Sequence, residues 1–326
     1  MFRLLSRSIM AFILRARGGD EMDDAMMQNS PAVGAQLDVI VRLHDVARMV
    51  ELKRAIFSLV CQDYRPLTIN LVTQRFSDHE IKDVLACLKP LTKLDPSVEL
   101  CIWNYVQDFP ADARSALLNL GIAQSHGRYL AILDYDDVIY SDGYTNLVRE
   151  LRESGSAIAF GKVIMKFIDV FEDAVICERI QHRFEGTGLL DLFIDNFCPI
   201  HSFVIDRERI EKNDLRFDET LDKLEDYNFL IRTCARYPSS FKLRDTVVGE
   251  YYAKNDGSNT IMLSEAAKAA HLEAWTQARQ SIEELRQTCI VSKDVQASLG
   301  LDKIEPRLTV RQLINAVKEE SKNFAA

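Results

Sequence analysis

The chain has 326 residues, enough for one large α/β domain or two smaller ones. With 47% hydrophobic and 27% charged residues it has the composition of an ordinary soluble globular protein, which excludes wholesale disorder. Its formal net charge of −9 excludes a chain-wide basic footprint for nucleic acid, so an anionic ligand needs local cations or a metal.

Residues 1–17 carry Arg3, Arg7, Arg15 and Arg17 and no acid. Their apolar residues suit a helical face with an arginine edge, which would lie on an anionic membrane surface; a disordered or partner-docked tail is the alternative. Arginines on both sides of the apolar stretch argue against a cleaved signal peptide, and no stretch reaches the ~18 apolar residues of a membrane span. Residues 18–35 read as a polar linker. Residues 1–36 are therefore taken as an amphipathic segment plus linker, and the expected location is cytoplasmic, with peripheral contact to the inner face of the membrane.

From Leu37 strands and helices alternate. Strands are predicted at Asp38 to Leu43, Thr68 to Thr73, Val98 to Trp103 and Tyr129 to Leu133. Helices are predicted at Val46 to Cys61, Asp78 to Leu88 and Ala111 to Gln124. The last strand is apolar throughout, as in a parallel sheet covered on both faces. The second half is less regular, with strands within Ala157 to Val170, at Ser202 to Asp206 and at Val247 to Lys254, and helices at Gly188 to Asn196 and Leu224 to Arg236. From Ser264 the chain reads as helices interrupted near Gly300 and Pro306.

The seven cysteines, Cys61, Cys87, Cys101, Cys177, Cys198, Cys234 and Cys289, are odd in number and widely spaced, without a Cys-x-x-Cys pair. Buried free thiols of a reducing compartment are expected, not a disulfide framework or a zinc site.

The sharpest local signal is Asp134-Tyr135-Asp136-Asp137 at the end of the buried strand. Ligands of open parallel sheets bind beyond the carboxyl ends of strands. Three carboxylates in four residues repel one another unless something positive stands among them. A hard divalent cation with oxygen ligands suits that place, while a solvated acidic turn capping the next helix is the plainer reading. Glu225 and Asp226 begin a predicted helix: one of them would serve as a general base, or both simply meet the helix dipole.

Together these segments resemble family 2 glycosyltransferases of the GT-A fold over roughly Leu37 to Thr260. The resemblance rests on Asp38-Val-Ile-Val with Ala55 to Tyr64, on Ala113-Arg114 through Asn119 and Gly121, on His126-Gly127 and Tyr129 running into Asp134-Tyr-Asp136-Asp137, on Pro199 to Arg207, on Leu224-Glu225-Asp226-Tyr227, and on Glu250-Tyr251-Tyr252 through Ser258-Asn259. It implies a GT-A, Rossmann-like, mostly parallel sheet with flanking helices over residues 37–262 and a helical C-terminal extension over 263–326. It implies an inverting, metal-dependent transfer of a sugar from a nucleotide-diphosphate donor, most simply a UDP-sugar, to a hydroxyl of a glycan or lipid-linked acceptor, in surface polysaccharide or glycoconjugate synthesis. Asp134, Asp136 and Asp137 would hold Mn²⁺ or Mg²⁺. Arg114, Asn119, Asp45, Thr73 and Asp134 would meet the donor, Asp226 would be the base and Glu225 its alternative, and the C-terminal helices could join a homo-oligomer.

The chain departs from the family's pattern at three places. The first strand ends Arg42-Leu-His44-Asp45, Thr73 and Gln74 stand where an Asp pair usually reads the base, and Lys254-Asn255 stands near an absent late histidine. Two rivals compete: a GT-A domain that only binds or scaffolds, and a haloacid-dehalogenase-like phosphatase, for which Asp134-x-Asp136 would have to lie on the first strand. His44, His126 and His201 read as structural, as do Trp103 and Trp275.

Overall fold

The computed structural model describes residues 9–14, 34–171, 175–254, 265–301 and 303–324. In chain order the strands are β1 (Ile9–Leu14), β2 (Leu37–Leu43), β3 (Leu67–Gln74), β4 (Val98–Tyr105), β5 (Tyr129–Asp134), β6 (Val138–Ile139), β7 (Ile158–Val170), β8 (Val175–Gln181), β9 (Phe203–Asp206) and β10 (Ser239–Lys254). The helices are α1 (Met49–Val60), α2 (Asp78–Thr92), α3 (Arg114–Gln124), α4 (Gly143–Ser154), α5 (Leu189–Ile194), α6 (Glu225–Arg236), α7 (Glu265–Thr288), α8 (Lys293–Ser298) and α9 (Val310–Phe324).

One sheet runs β1-β4-β3-β2-β5-β9-β7-β10-β6, with β8 hanging on β7. The stretch β4-β3-β2-β5 is parallel, β9 runs antiparallel between β5 and β7, and β10 lies parallel to β7. The result is the mixed α/β layering expected from the alternation of elements. Residues 9–14 form an edge strand antiparallel to β4 instead of the helical face read from the sequence; the rest of that arginine-rich segment lies outside the described residues.

Period-two alternation sorts each strand between two apolar layers. Ile40, Val72 and Ile132 pack with α3, α5 and α6 on one face. Val39, Val41, Ile69 and Leu133 pack with α1 and α4 on the other. Helix α1 contributes Leu52, Ile56 and Leu59, all fully buried, each side chain stabilising by about 1.5–3 kcal/mol through loss of water contact. Helix α2 begins with a capping box between Ser77 and Glu80, which satisfies two backbone donors at its start. The C-terminal helices belong to the first layer: Ile282, Val295, Val310 and Leu313 share one cluster with Ile40 and Ile132.

Three elements, α4, β6 and β8, have no counterpart among the sequence-based expectations. The first buries Tyr144, Leu147, Val148 and Leu151 at helical spacing, whereas every residue of β8 is exposed and leaves no period to read. All seven cysteines are free, but only Cys101, Cys198 and Cys234 are buried, and Cys61 and Cys177 are exposed. Among the described residues no helix is long and apolar enough to cross a membrane.

Helix α3 approaches β2 closely at Gly121, where an added Cβ would stand 2.6 Å from Ile40 Cγ2. Gly121→Ala is expected to lower stability by about 1–3 kcal/mol through overpacking, read as a lower urea midpoint with an unchanged slope.

Candidate active site

The acidic turn lies at the carboxyl end of β5, closed by a hydrogen bond from the Asp137 amide to the Asp134 carbonyl at 3.1 Å. Three neighbouring elements pin it. From α1, Arg54 Nη2 donates to the Asp136 carbonyl at 2.8 Å. From β10, the Tyr252 amide donates to Asp137 Oδ1 at 3.0 Å, and Lys254 Nζ donates to Asp136 Oδ2 at 2.8 Å. β10 comes this near because Gly249 has no side chain: a Cβ there would meet the Val138 carbonyl oxygen at 2.5 Å.

From β2, Arg42 grips Asp134 with two bonds, Nε to Oδ1 at 2.7 Å and Nη2 to Oδ2 at 3.2 Å. Its Nη1 donates to Glu225 Oε1 at 3.1 Å. One guanidinium thus joins the end of β5 to the first turn of α6, where Glu225 lies 183 residues from Arg42 in sequence. Burial works against its charge, but the Asp134 and Glu225 carboxylates outweigh that and keep it charged. Burial likewise opposes the Asp134 charge, yet Arg42 holds its carboxyl below the usual range. Asp136 and Asp137 go the other way, raised by burial and by their acidic neighbours. His201 from the loop before β9 is buried, with Nδ1 3.2 Å from Asp137 Oδ2, and burial pushes it down to about 4, so it is neutral at pH 7.

Across from the turn, Leu224 adopts φ 58°, an uncommon conformation for a branched residue and the kind of strain that concentrates at working sites. It swings Glu225 and Asp226 into the start of α6. Glu225 is bound by Arg42 and lies 3.9 Å from Arg114 Nη1. Asp226 is half-buried and accepts a hydrogen bond from Asn196 Nδ2 at 3.2 Å. Burial and the adjacent Glu225 charge push its carboxyl up to about 7.

A cleft of about 960 Å³ lies between these groups. Arg42, Arg114, Arg183, Lys223, Arg279 and Arg286 line it, against Asp134, Asp137, Asp195, Glu225, Asp226 and Glu283. The chain is acidic overall, but this balance lets the cleft accept an anion. Helix α7 supplies the far wall through Leu272, Trp275, Arg279, Ile282 and Arg286. Arg286 fixes that wall by donating to the Phe193 and Ile194 carbonyls at 2.9 and 2.6 Å and to the Tyr227 hydroxyl at 2.8 Å. Trp275, expected to be a packing residue, is therefore a half-buried cleft residue.

The structure gathers Asp134, Asp137, Arg114, Glu225 and Asp226 around the cleft. It turns others of the expected donor set elsewhere. Thr73 is fully buried and its hydroxyl donates to Asn104 Oδ1 at 3.0 Å, so it braces β3 against β4. Asn119 bonds the Phe217 backbone in both directions, at 3.0 and 2.8 Å, and donates to Glu219 at 2.7 Å; it ties α3 to the loop before α6. Asp45 accepts from the Ala47 amide at 2.9 Å and caps the short turn leading into α1. Arg114 makes a bidentate pair with Asp112 at 2.7–3.0 Å.

The three acids of the turn do not make a metal site as arranged. Asp134 has both oxygens on Arg42 and Asp136 is on Lys254, and among the described residues no three His, Cys, Asp or Glu side chains converge to hold an ion. Arg42 and Lys254, the two cations that organise the turn, stand out in the sequence only as departures from the family's pattern.

A parallel half-sheet ending in an acidic turn, faced by a helix that opens with two carboxylates over a charge-balanced cleft, is an arrangement of the GT-A type of α/β fold. Residues 52–212 match the sequence profile described as glycosyl transferase family 2. The succinoglycan biosynthesis protein ExoO of Rhizobium meliloti (strain 1021) is 26% identical over 274 residues, covering 78% of this chain and 70% of that protein. Among solved structures, S. aureus TarS superposes with a TM-score of 0.52 at 14% identity over 81% of this chain. TarS 1-349 in complex with UDP-GlcNAc superposes with a TM-score of 0.50 at 14% identity over 74% of this chain. The chain spans 42% and 65% of those two solved chains. Residues 52–212 belong to glycosyl transferase family 2, and the chain is a glycosyltransferase. The phosphatase alternative fails on topology too, because its motif would have to lie on the first strand and here ends the fifth.

Replacing Arg42 leaves two largely buried carboxylates without their partner. Arg42→Met is expected to cost about 3–5 kcal/mol of stability, measured by urea unfolding.

Proposed function

We propose that the chain transfers a sugar from a nucleoside-diphosphate donor to an acceptor hydroxyl with inversion at the anomeric carbon, using Asp226 as the base. The observation that carries this reading is the contrast between the two adjacent acids of α6. Glu225 is held by Arg42 at 3.1 Å, so its carboxylate is already engaged by a side chain of the cleft wall. Asp226, pushed up to about 7, has the affinity for a proton that a base working near neutral pH requires.

In this reading the Asp226 carboxylate takes the proton of the acceptor hydroxyl while that oxygen bonds to the anomeric carbon. The bond from that carbon to the donor diphosphate breaks, and its electron pair leaves with the diphosphate. The sugar passes through an oxocarbenium-like state. Arg114 and Lys223 at the cleft wall stabilise the charge that develops on the leaving group. A single displacement inverts the configuration. UDP-GlcNAc in the TarS complex supports a UDP-sugar as donor, and the name of the ExoO relative supports a role in polysaccharide synthesis. Trp275 in the far wall supports a glycan or lipid-linked sugar as acceptor, because an aromatic face packs against a sugar ring.

Calorimetry with a panel of nucleoside diphosphates tests the donor site; failure of all of them to bind would favour a scaffold without activity. Asp226→Asn is expected to keep donor affinity within about twofold and to lower kcat by about 10²–10⁴. Normal turnover in that variant would remove Asp226 from the role. The pH dependence follows from the raised pKa: below about 7 the Asp226 carboxyl is protonated and cannot accept, so kcat/KM should rise with pH through neutrality and then level off. A profile that is flat between pH 5 and 8 would be incompatible with this base.

A further inference from the structure

The family resemblance implies a divalent ion at the acidic turn, and the side chains there are arranged against it. Lys254, the last residue of β10, has a fully buried side chain. Its ammonium lies 2.8 Å from Asp136 Oδ2 and 3.8 Å from Glu51 Oε1, and 5.6 Å from the centre of the Tyr135 ring. Asp134 is closed on its other side by the bidentate Arg42, and Asp137 Oδ1 accepts from the Tyr252 amide.

Mg²⁺ demands near-octahedral oxygen ligation at about 2.0–2.1 Å. An ion at Asp136 would have to evict a buried ammonium or sit against it, and like charges that close repel strongly out of water. The charge problem that a metal would solve is already solved by protein cations. An ammonium and a guanidinium neutralise two of the three carboxylates, leaving the cleft's other cations to meet an anion.

We propose that the buried ammonium of Lys254, together with the Arg42 guanidinium, takes the place of a divalent cation at the acidic turn, so that this glycosyltransferase binds its nucleoside diphosphate without metal. This rests on the donor reading above. Lys254 acts through Asp136: it is a positioning and neutralising residue, set behind the cleft wall and outside the set of side chains that line it. An ordinary structural ion pair would hold the same two residues together but would not alter the response to metal, which makes metal response the measurement of choice.

The test uses the full chain and two readouts. In the first, UDP and GDP are titrated by calorimetry in EDTA and in excess Mn²⁺. In the second, free Mn²⁺ is titrated into the nucleotide-free protein and followed by electron paramagnetic resonance. Wild type should bind nucleotide with a Kd that changes by less than about twofold between EDTA and Mn²⁺, and should take up no Mn²⁺ alone. Lys254→Ala should bind nucleotide about tenfold more weakly in EDTA, recover affinity with Mn²⁺, and take up free Mn²⁺, because Asp136 has lost its ammonium. Lys254→Arg should stay indifferent to metal.

Wild-type affinity that rises tenfold or more with Mn²⁺ would overturn the proposal. So would wild-type Mn²⁺ uptake that disappears in Asp136→Asn, or a folded Lys254→Ala that gains no metal sensitivity. If wild type bound neither nucleotide in either buffer, the donor reading would fall, and the Mn²⁺ titration would decide the cation arrangement alone. Uptake by wild type would refute it, and uptake only by Lys254→Ala would support it.

Discussion

The guanidinium of Arg42 is the group on which the site depends. It stands at the end of β2 and makes bonds to Asp134 and Glu225, so two carboxylates from distant parts of the chain are brought together without repelling one another. Its five donors in a rigid fork suit it to a bidentate grip on one acid while it reaches a second. A lysine offers a point charge and could not define both orientations. The cross-link ties the first turn of α6, which carries Asp226, to the end of β5, while Phe229, Leu230 and Ile231 pack the helix into the core.

The rest of the site is a matter of dividing charge between neighbours. Glu225 receives the arginines, so Asp226 beside it is left with burial and a neighbouring anion, and its proton affinity rises. At the acidic turn the same division gives Asp134 a guanidinium and Asp136 an ammonium, and places a neutral His201 against Asp137. An acidic chain thereby presents a cleft without a large net charge.

Much of the architecture is legible in the sequence because it is written in local periods. The apolar run from Tyr129, the helical spacing within Val46 to Cys61 and the acidic turn after Leu133 each fall where the pattern places them. Asp226 is legible through its place in a motif. Arg42 is visible only as a departure from the family's usual strand ending, since nothing in a strand pattern reveals a partner in a helix far along the chain. Thr73 and Asn119 occupy the expected places, but their side chains turn to Asn104 and to the Phe217 backbone, long-range contacts that no spacing encodes. Lys254 stands out in the sequence only as the neighbour of a missing histidine; its meaning requires β10 to pass the acidic turn closely, which Gly249 permits.

The C-terminal helices bury Ile282, Val295, Val310 and Leu313 in the same layer as Ile40 and Ile132, while α7 also forms a wall of the cleft. They are built into the body of the molecule in the way a keystone is built into an arch. Loss of the helices beyond residue 265 would uncover the apolar sides of α5 and α6 and open the far wall of the cleft at once. Selection that keeps those apolar sides covered therefore also preserves the shape of the cleft.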